Sequence, residues 1–124
     1  MFQQIFLVGL GGGLGSIIRF LVSKFTVDKW TYLSLPLGTF IVNVIGCFLI
    51  GILIGLSYKT NYLTENLRAL LIAGFCGGFT TFSAFSLENF LMYQSGNFKG
   101  LILYTLMSVL IGFSAVWAGM TFTK

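Results

Sequence analysis

The chain has 124 residues, 56% of them hydrophobic and 8% charged, with a formal net charge of +4 and a mean hydropathy of +0.95. A soluble domain needs roughly a quarter of its residues charged to cover its surface, so this composition excludes one and marks a membrane protein. It has no histidine, and its only acids are Asp28, Glu65 and Glu88, which excludes carboxylate pairs, Ser-His-Asp constellations and metal clusters within one chain; no enzyme is expected.

A helix that crosses roughly 30 Å of hydrocarbon takes about 20 residues. Segments 5–22, 35–58, 69–93 and 101–122 meet that length, and the polar stretches 23–29, 59–68 and 94–99 separate them. The predicted architecture is all-α, a single domain of four transmembrane helices. Trp30, Tyr32, Tyr58, Tyr62 and Tyr93 fall near the predicted ends, where amphipathic rings sit at the headgroups. Hydrophobicity recurs to the last residues, so a cleaved secretory leader is not expected.

The first segment carries the small-x-x-x-small pairs Gly9/Gly13 and Gly11/Gly15, which let helix backbones approach closely, and Arg19 near its end. Two readings of Arg19 stand: an anion attractor at a pore mouth, or a side chain that snorkels to headgroups or pairs with Glu88. The second segment holds Gly51/Gly55 and, near its middle, Asn43. That amide can present two donors to a passing anion or form an interhelical hydrogen bond. Cys47 and Cys76 sit in apolar spans without a C-x-x-C pair and read as small hydrophobes.

The third segment poses the sharpest question, because GFCGGFTTFSAF, residues 74–85, places glycines and hydroxyls at membrane depth. Backbone can unwind there only if it is buried in protein or lines a cavity, and its freed carbonyls then become cation ligands. A break is expected over 77–81. Beyond it Phe82 and Phe85 share a helix face, with Thr81 and Ser83 turned elsewhere. Ring edges carry partial positive charge and can line an anion's route without trapping it. Glu88 lies close to the far end of this span, at a depth matching Arg19.

With four crossings, Lys59, Arg68, Lys124 and the amino terminus share one membrane face, opposite Arg19, Lys24, Lys29 and Lys99. Orientation follows the Lys/Arg bias of short loops, so a balanced chain inserts both ways, and an antiparallel homodimer follows. The cations are scattered singly between spans, which fits headgroup anchoring and not nucleic acid.

Three blocks then resemble the Fluc/CrcB family of bacterial fluoride channels: Gly11-Gly12-x-x-Gly15-x-x-x-Arg19, Gly38-Thr39-x-x-x-Asn43-x-x-Gly46 through Gly51, and GFCGGFTTFS at 74–83. The resemblance runs end to end. It implies a dual-topology homodimer in the bacterial plasma membrane, with two antiparallel pores that pass fluoride and reject chloride. It assigns Asn43, Phe82 and Phe85 to the pore walls, Thr81 and Ser83 as hydroxyl donors, and Tyr104 and Ser108 of the fourth span as pore-side polar positions. It further implies a sodium ion at the dimer interface, bound by the carbonyls of Gly77 and Thr80. Ala84, where many relatives carry threonine, and Cys47, where a small hydroxyl or alanine residue is common, depart from the pattern.

Two rival functions remain open on the residues alone. A proton-coupled exporter of the small multidrug transporter type would need a carboxylate near the midplane, and Glu88 is too near an end. A non-conducting membrane subunit would leave the clustered threonines and Asn43 without a purpose.

Overall fold

Helices in lipid associate through close packing of small residues and through interhelical hydrogen bonds, and the first of these sets the main helix pairs of this molecule. The structure, a computed structural model, describes residues 1–29 and 35–123, with backbone only for 27–29. Trp30, Tyr32 and Lys124, expected at the membrane surface, lie outside the described residues, as do the side chains of Asp28 and Lys29.

The elements in chain order are α1 (Phe2–Lys29), α2 (Leu37–Lys59), α3 (Glu65–Arg68), a π-helical segment (Ala69–Cys76), α4 (Gly77–Phe79), α5 (Phe82–Gln94) and α6 (Phe98–Phe122). Every regular element among the described residues is a helix, and four helical stretches, Phe2–Thr26, Leu37–Lys59, Glu65–Gln94 and Phe98–Phe122, are long and apolar enough to cross a membrane. Helix outlasts hydrophobicity at both ends of the first stretch. The polar residues 23–29, expected as a break, continue α1, because a helix leaving hydrocarbon keeps its backbone bonds and loses only its lipid contacts. Arg68 is likewise helical, in a turn that starts at Thr64, whose hydroxyl accepts from the Leu67 amide.

α1 packs along the π-helical segment and α2 along α6. In the first pair the backbones nearly touch. A β-carbon added to Gly11 would fall on the Leu70 carbonyl, one on Gly15 on the Phe75 carbonyl, and one on Gly78 on the Gly12 carbonyl. In the second pair Gly51 faces the Val116 carbonyl and Gly119 faces Phe48. Of the pairs seen in the sequence, Gly9/Gly13 takes no part in this packing, since nothing approaches either position within 4 Å.

The third stretch is bent. Its π-helical turns end at Cys76, one short turn follows, and Thr80 (φ −86°, ψ 159°) and Thr81 (φ −151°, ψ 123°) are extended. Helix resumes at Phe82, with the Thr81 hydroxyl accepting from the Ala84 amide at 3.2 Å as an N-cap. At the other end of α5, Gly96 adopts φ +78°, a conformation that suits glycine, and Asn97 caps α6 through the Gly100 amide. The buried core is small: Val42, Cys76, Phe79, Met92, Tyr104 and Thr39.

Candidate functional site

Two extended residues at membrane depth leave peptide groups that must be paired or exposed to a cavity. Asn43, projecting from the middle of α2, takes up one whole peptide unit's worth of them. Its Oδ1 accepts from the Thr81 N–H at 2.8 Å and its Nδ2 donates to the Thr81 carbonyl at 3.2 Å. Of the two readings of Asn43, the interhelical bond is therefore present, and it leaves one Nδ2 hydrogen uncommitted.

Beside this pair lies a recess of about 420 Å³, open on one side, whose lining includes Asn43, Cys47, Thr81, Phe82, Phe85 and Ser108. No charged side chain among the described residues lines it. Phe82 is 79% exposed, and its ring lies 6.0 Å from that of Phe85, which in turn packs 5.1 Å from Tyr104. Ser108 borders the recess, and its hydroxyl oxygen is buried with no hydrogen-bond partner among the described residues. Thr81 shares the recess with both phenylalanines, contrary to the helical-face reading. It sits in extended backbone ahead of α5, where helical spacing does not apply. Ser83 does not line the recess; its hydroxyl lies 3.2 Å from that of Thr81.

Tyr104 is buried behind Phe85 instead of lining the recess, and its hydroxyl donates to Glu88 Oε1 at 3.3 Å. Thr39 donates to Glu88 Oε2 at 2.9 Å. Thr39 is not among the site candidates that the sequence points to. Its place in the Gly38-Thr39 block, one turn before Asn43 on the same face of α2, was the available signal. Glu88 also borders a second recess of about 400 Å³, with Pro36, Leu91, Ser95 and Asn97, at the α5–α6 end of the molecule.

Arg19 does not meet Glu88 within the protomer. Its Nε donates to the Gly78 carbonyl at 3.0 Å, joined there by the Ser16 hydroxyl at 3.4 Å. Gly78 lies at the C-terminal end of the helical run that precedes the break, where unpaired carbonyls concentrate negative potential and a cation is favourable.

The break also frees the two carbonyls implied as cation ligands. In an unbroken helix the Gly77 carbonyl would accept from the Thr81 N–H and the Thr80 carbonyl from the Ala84 N–H. Here those amides bond the Asn43 side chain and the Thr81 hydroxyl. Among the described residues no cluster of His, Cys, Asp or Glu offers a metal site, so a cation would rest on neutral backbone oxygens. Such a donor set fits a hard monovalent ion.

Comparison with known proteins agrees with this geometry. A family model described as CrcB-like protein, Camphor Resistance (CrcB), matches residues 6–120. A protein of Azobacteroides pseudotrichonymphae named fluoride-specific ion channel FluC is 53% identical over 124 residues, covering 100% of this chain and 98% of its own. Proteins of the same name from Flavobacterium psychrophilum and Methylobacillus flagellatus are 42% and 41% identical, each over 98% of this chain and over 98% and 94% of their own. With four spans, a break at 80–81 and full-length relatives at this identity, the chain belongs to the CrcB family.

Proposed function

We propose that this multi-pass bacterial membrane protein is a fluoride channel, in which the recess beside Asn43 forms part of a passive route for the anion. Relatives bearing the name fluoride-specific ion channel match the whole chain. The observation that carries the reading is the buried, unbonded Ser108 hydroxyl in a recess walled by phenylalanines, with no fixed charge. Fluoride holds its water tightly, so a passage must substitute donors for that water, and hydroxyls, an amide and ring edges do so without the charge that would trap the ion.

The route is completed by a second copy inserted in the opposite sense. A recess that opens to the outside conducts only when something covers it, and Phe82, which lines it, is largely exposed. Near-equal Lys/Arg counts on the two membrane faces support insertion both ways, hence an antiparallel homodimer with two pores. The carbonyls of Gly77 and Thr80 would hold a sodium ion, which would supply positive charge at the break in the third span. The membrane potential, negative inside, drives fluoride outward by roughly 2.3 kcal/mol per 100 mV, lowering its toxicity without coupling to protons.

The test is reconstitution. Liposomes loaded with potassium fluoride and carrying the purified protein should release fluoride when a potassium ionophore balances charge, at rates beyond a carrier cycle. Release that needs a proton gradient would favour an exporter, and vesicles that stay sealed to fluoride would leave the protein a non-conducting subunit. Labelling of one engineered cysteine from both sides of intact cells tests dual insertion.

A further inference from the structure

Phe85 reaches the recess from α5, which follows the two extended residues Thr80 and Thr81; the Thr80 amide bonds the Cys76 carbonyl and Thr81 is paired with Asn43, so the start of α5 is anchored to α2 and to the helix before the break. Where the Phe85 ring sits, one turn further along, depends also on how α5 lies against α6. Besides the Tyr93–Phe98 ring pair where the two helices join, three contacts close to Phe85 tie α5 to α6. Phe85 packs on Tyr104, Glu88 accepts from Tyr104, and one residue further along each helix Asn89 accepts from Thr105, its Oδ1 taking the Thr105 hydroxyl hydrogen at 3.2 Å.

Asn89 is used at both ends. While its oxygen is held by Thr105, its Nδ2 donates to the carbonyl of Phe85 at 3.2 Å. A chain of two hydrogen bonds thus runs from α6 through the Asn89 amide to the backbone of the recess phenylalanine. Neither Asn89 nor Thr105 borders either recess. Both are half-buried, and an amide and a hydroxyl facing each other inside a membrane protein are more restrictive than an apolar contact, because each must keep its partner or leave a polar group unpaired.

We propose that Asn89 and Thr105 are positioning residues, which set the register of α5 on α6 and so hold the Phe85 ring at the recess wall. The proposal rests on the channel reading. Losing the link would let α5 shift its register on α6, and fluoride flux would fall although no group touching the ion has changed.

The experiment is fluoride efflux from liposomes with Thr105→Val, which keeps the β-branched shape and removes only the hydroxyl. Flux is expected to fall about fivefold, the factor corresponding to one ordinary hydrogen bond, while elution volume and dimer yield stay as in the wild type. Thr105→Ser, which restores the hydroxyl, should recover most of the flux. Asn89→Ala should lose more than Thr105→Val, because it cuts both bonds, and adding Thr105→Val to it should cost nothing further. Wild-type flux in Thr105→Val, or a full additional loss in the double variant, overturns the proposal. If the valine variant does not assemble, Thr105→Ala supports the same comparison. A wild-type protein that passes no fluoride would instead defeat the channel reading.

Discussion

Asn43 and Thr81 pair edge to edge: the side-chain amide of one bonds both the N–H and the carbonyl of the other, at 2.8 and 3.2 Å. A glutamine or asparagine amide reproduces the donor–acceptor face of a peptide, so Asn43 acts as the missing neighbour of an unwound residue. The pair joins α2 to the break in the third span, and the same side chain borders the recess. The same amide thus holds the break together and faces the recess of the proposed route, and its substitutions divide accordingly.

Asn43→Leu leaves two buried peptide groups unpaired, at about 1–3 kcal/mol each, and should lower the unfolding temperature in detergent and the yield of assembled protein. Asn43→Asp keeps the acceptor for the Thr81 amide but sets a negative charge on the recess wall. At an effective dielectric of about 20, a like charge 4 Å from the ion costs about 4 kcal/mol, so fluoride efflux should drop roughly a hundredfold or more. Equal flux in Asn43→Asp and wild type would place the anion's route elsewhere.

Phe82→Ile and Phe85→Ile should each abolish fluoride release with different consequences for stability. Phe82 is largely exposed in the protomer, so its loss leaves the fold intact. Phe85 gives up its ring contact with Tyr104, worth about 0.5–1.5 kcal/mol beyond area, and should show a small drop in thermal stability. Retained flux in both variants would remove the rings from the mechanism.

Ser108→Ala is expected to separate function from folding in the opposite sense to Asn43→Leu. The hydroxyl has no partner to lose, so stability should hold within about 0.5 kcal/mol or rise. Fluoride flux should fall, and calorimetric titration with fluoride should show weaker binding. An unchanged flux would mean that the buried hydroxyl does not meet the ion.

The glycines of α1 should respond by face. Gly15→Ala puts a methyl group onto the Phe75 carbonyl and Gly11→Ala onto the Leu70 carbonyl, so each should destabilise by about 1–3 kcal/mol, the range for overpacking. Gly9→Ala and Gly13→Ala enter open space within the protomer and should leave its thermal unfolding unchanged. A cost at Gly13 matching that at Gly15 would mean that another helix lies on that face.

Replacing sodium with a bulky organic cation throughout purification should reduce dimer yield or fluoride flux if Gly77 and Thr80 carbonyls bind it. Sodium-independent assembly and flux would assign those two oxygens to water or to the partner copy.

Much of this protein could be read before any coordinates. Hydrophobic run lengths mark the four membrane-crossing helices, since a helix satisfies its own backbone in lipid, and of the break expected over 77–81 the two threonines are extended while Gly77–Phe79 stays helical. Asn43, Phe82 and Phe85 stand out as polar or aromatic residues in apolar company, whereas Ser108 is legible only through the family resemblance. The partners of those residues were not legible. Nothing in residue order says that Asn43 grips Thr81, that Arg19 reaches the Gly78 carbonyl instead of Glu88, or that Glu88 is held by Thr39 and Tyr104. Periodicity reports which face of one helix a side chain occupies; which neighbour that face meets depends on how helices cross, and the glycine contacts that set the crossings act between segments far apart in the chain.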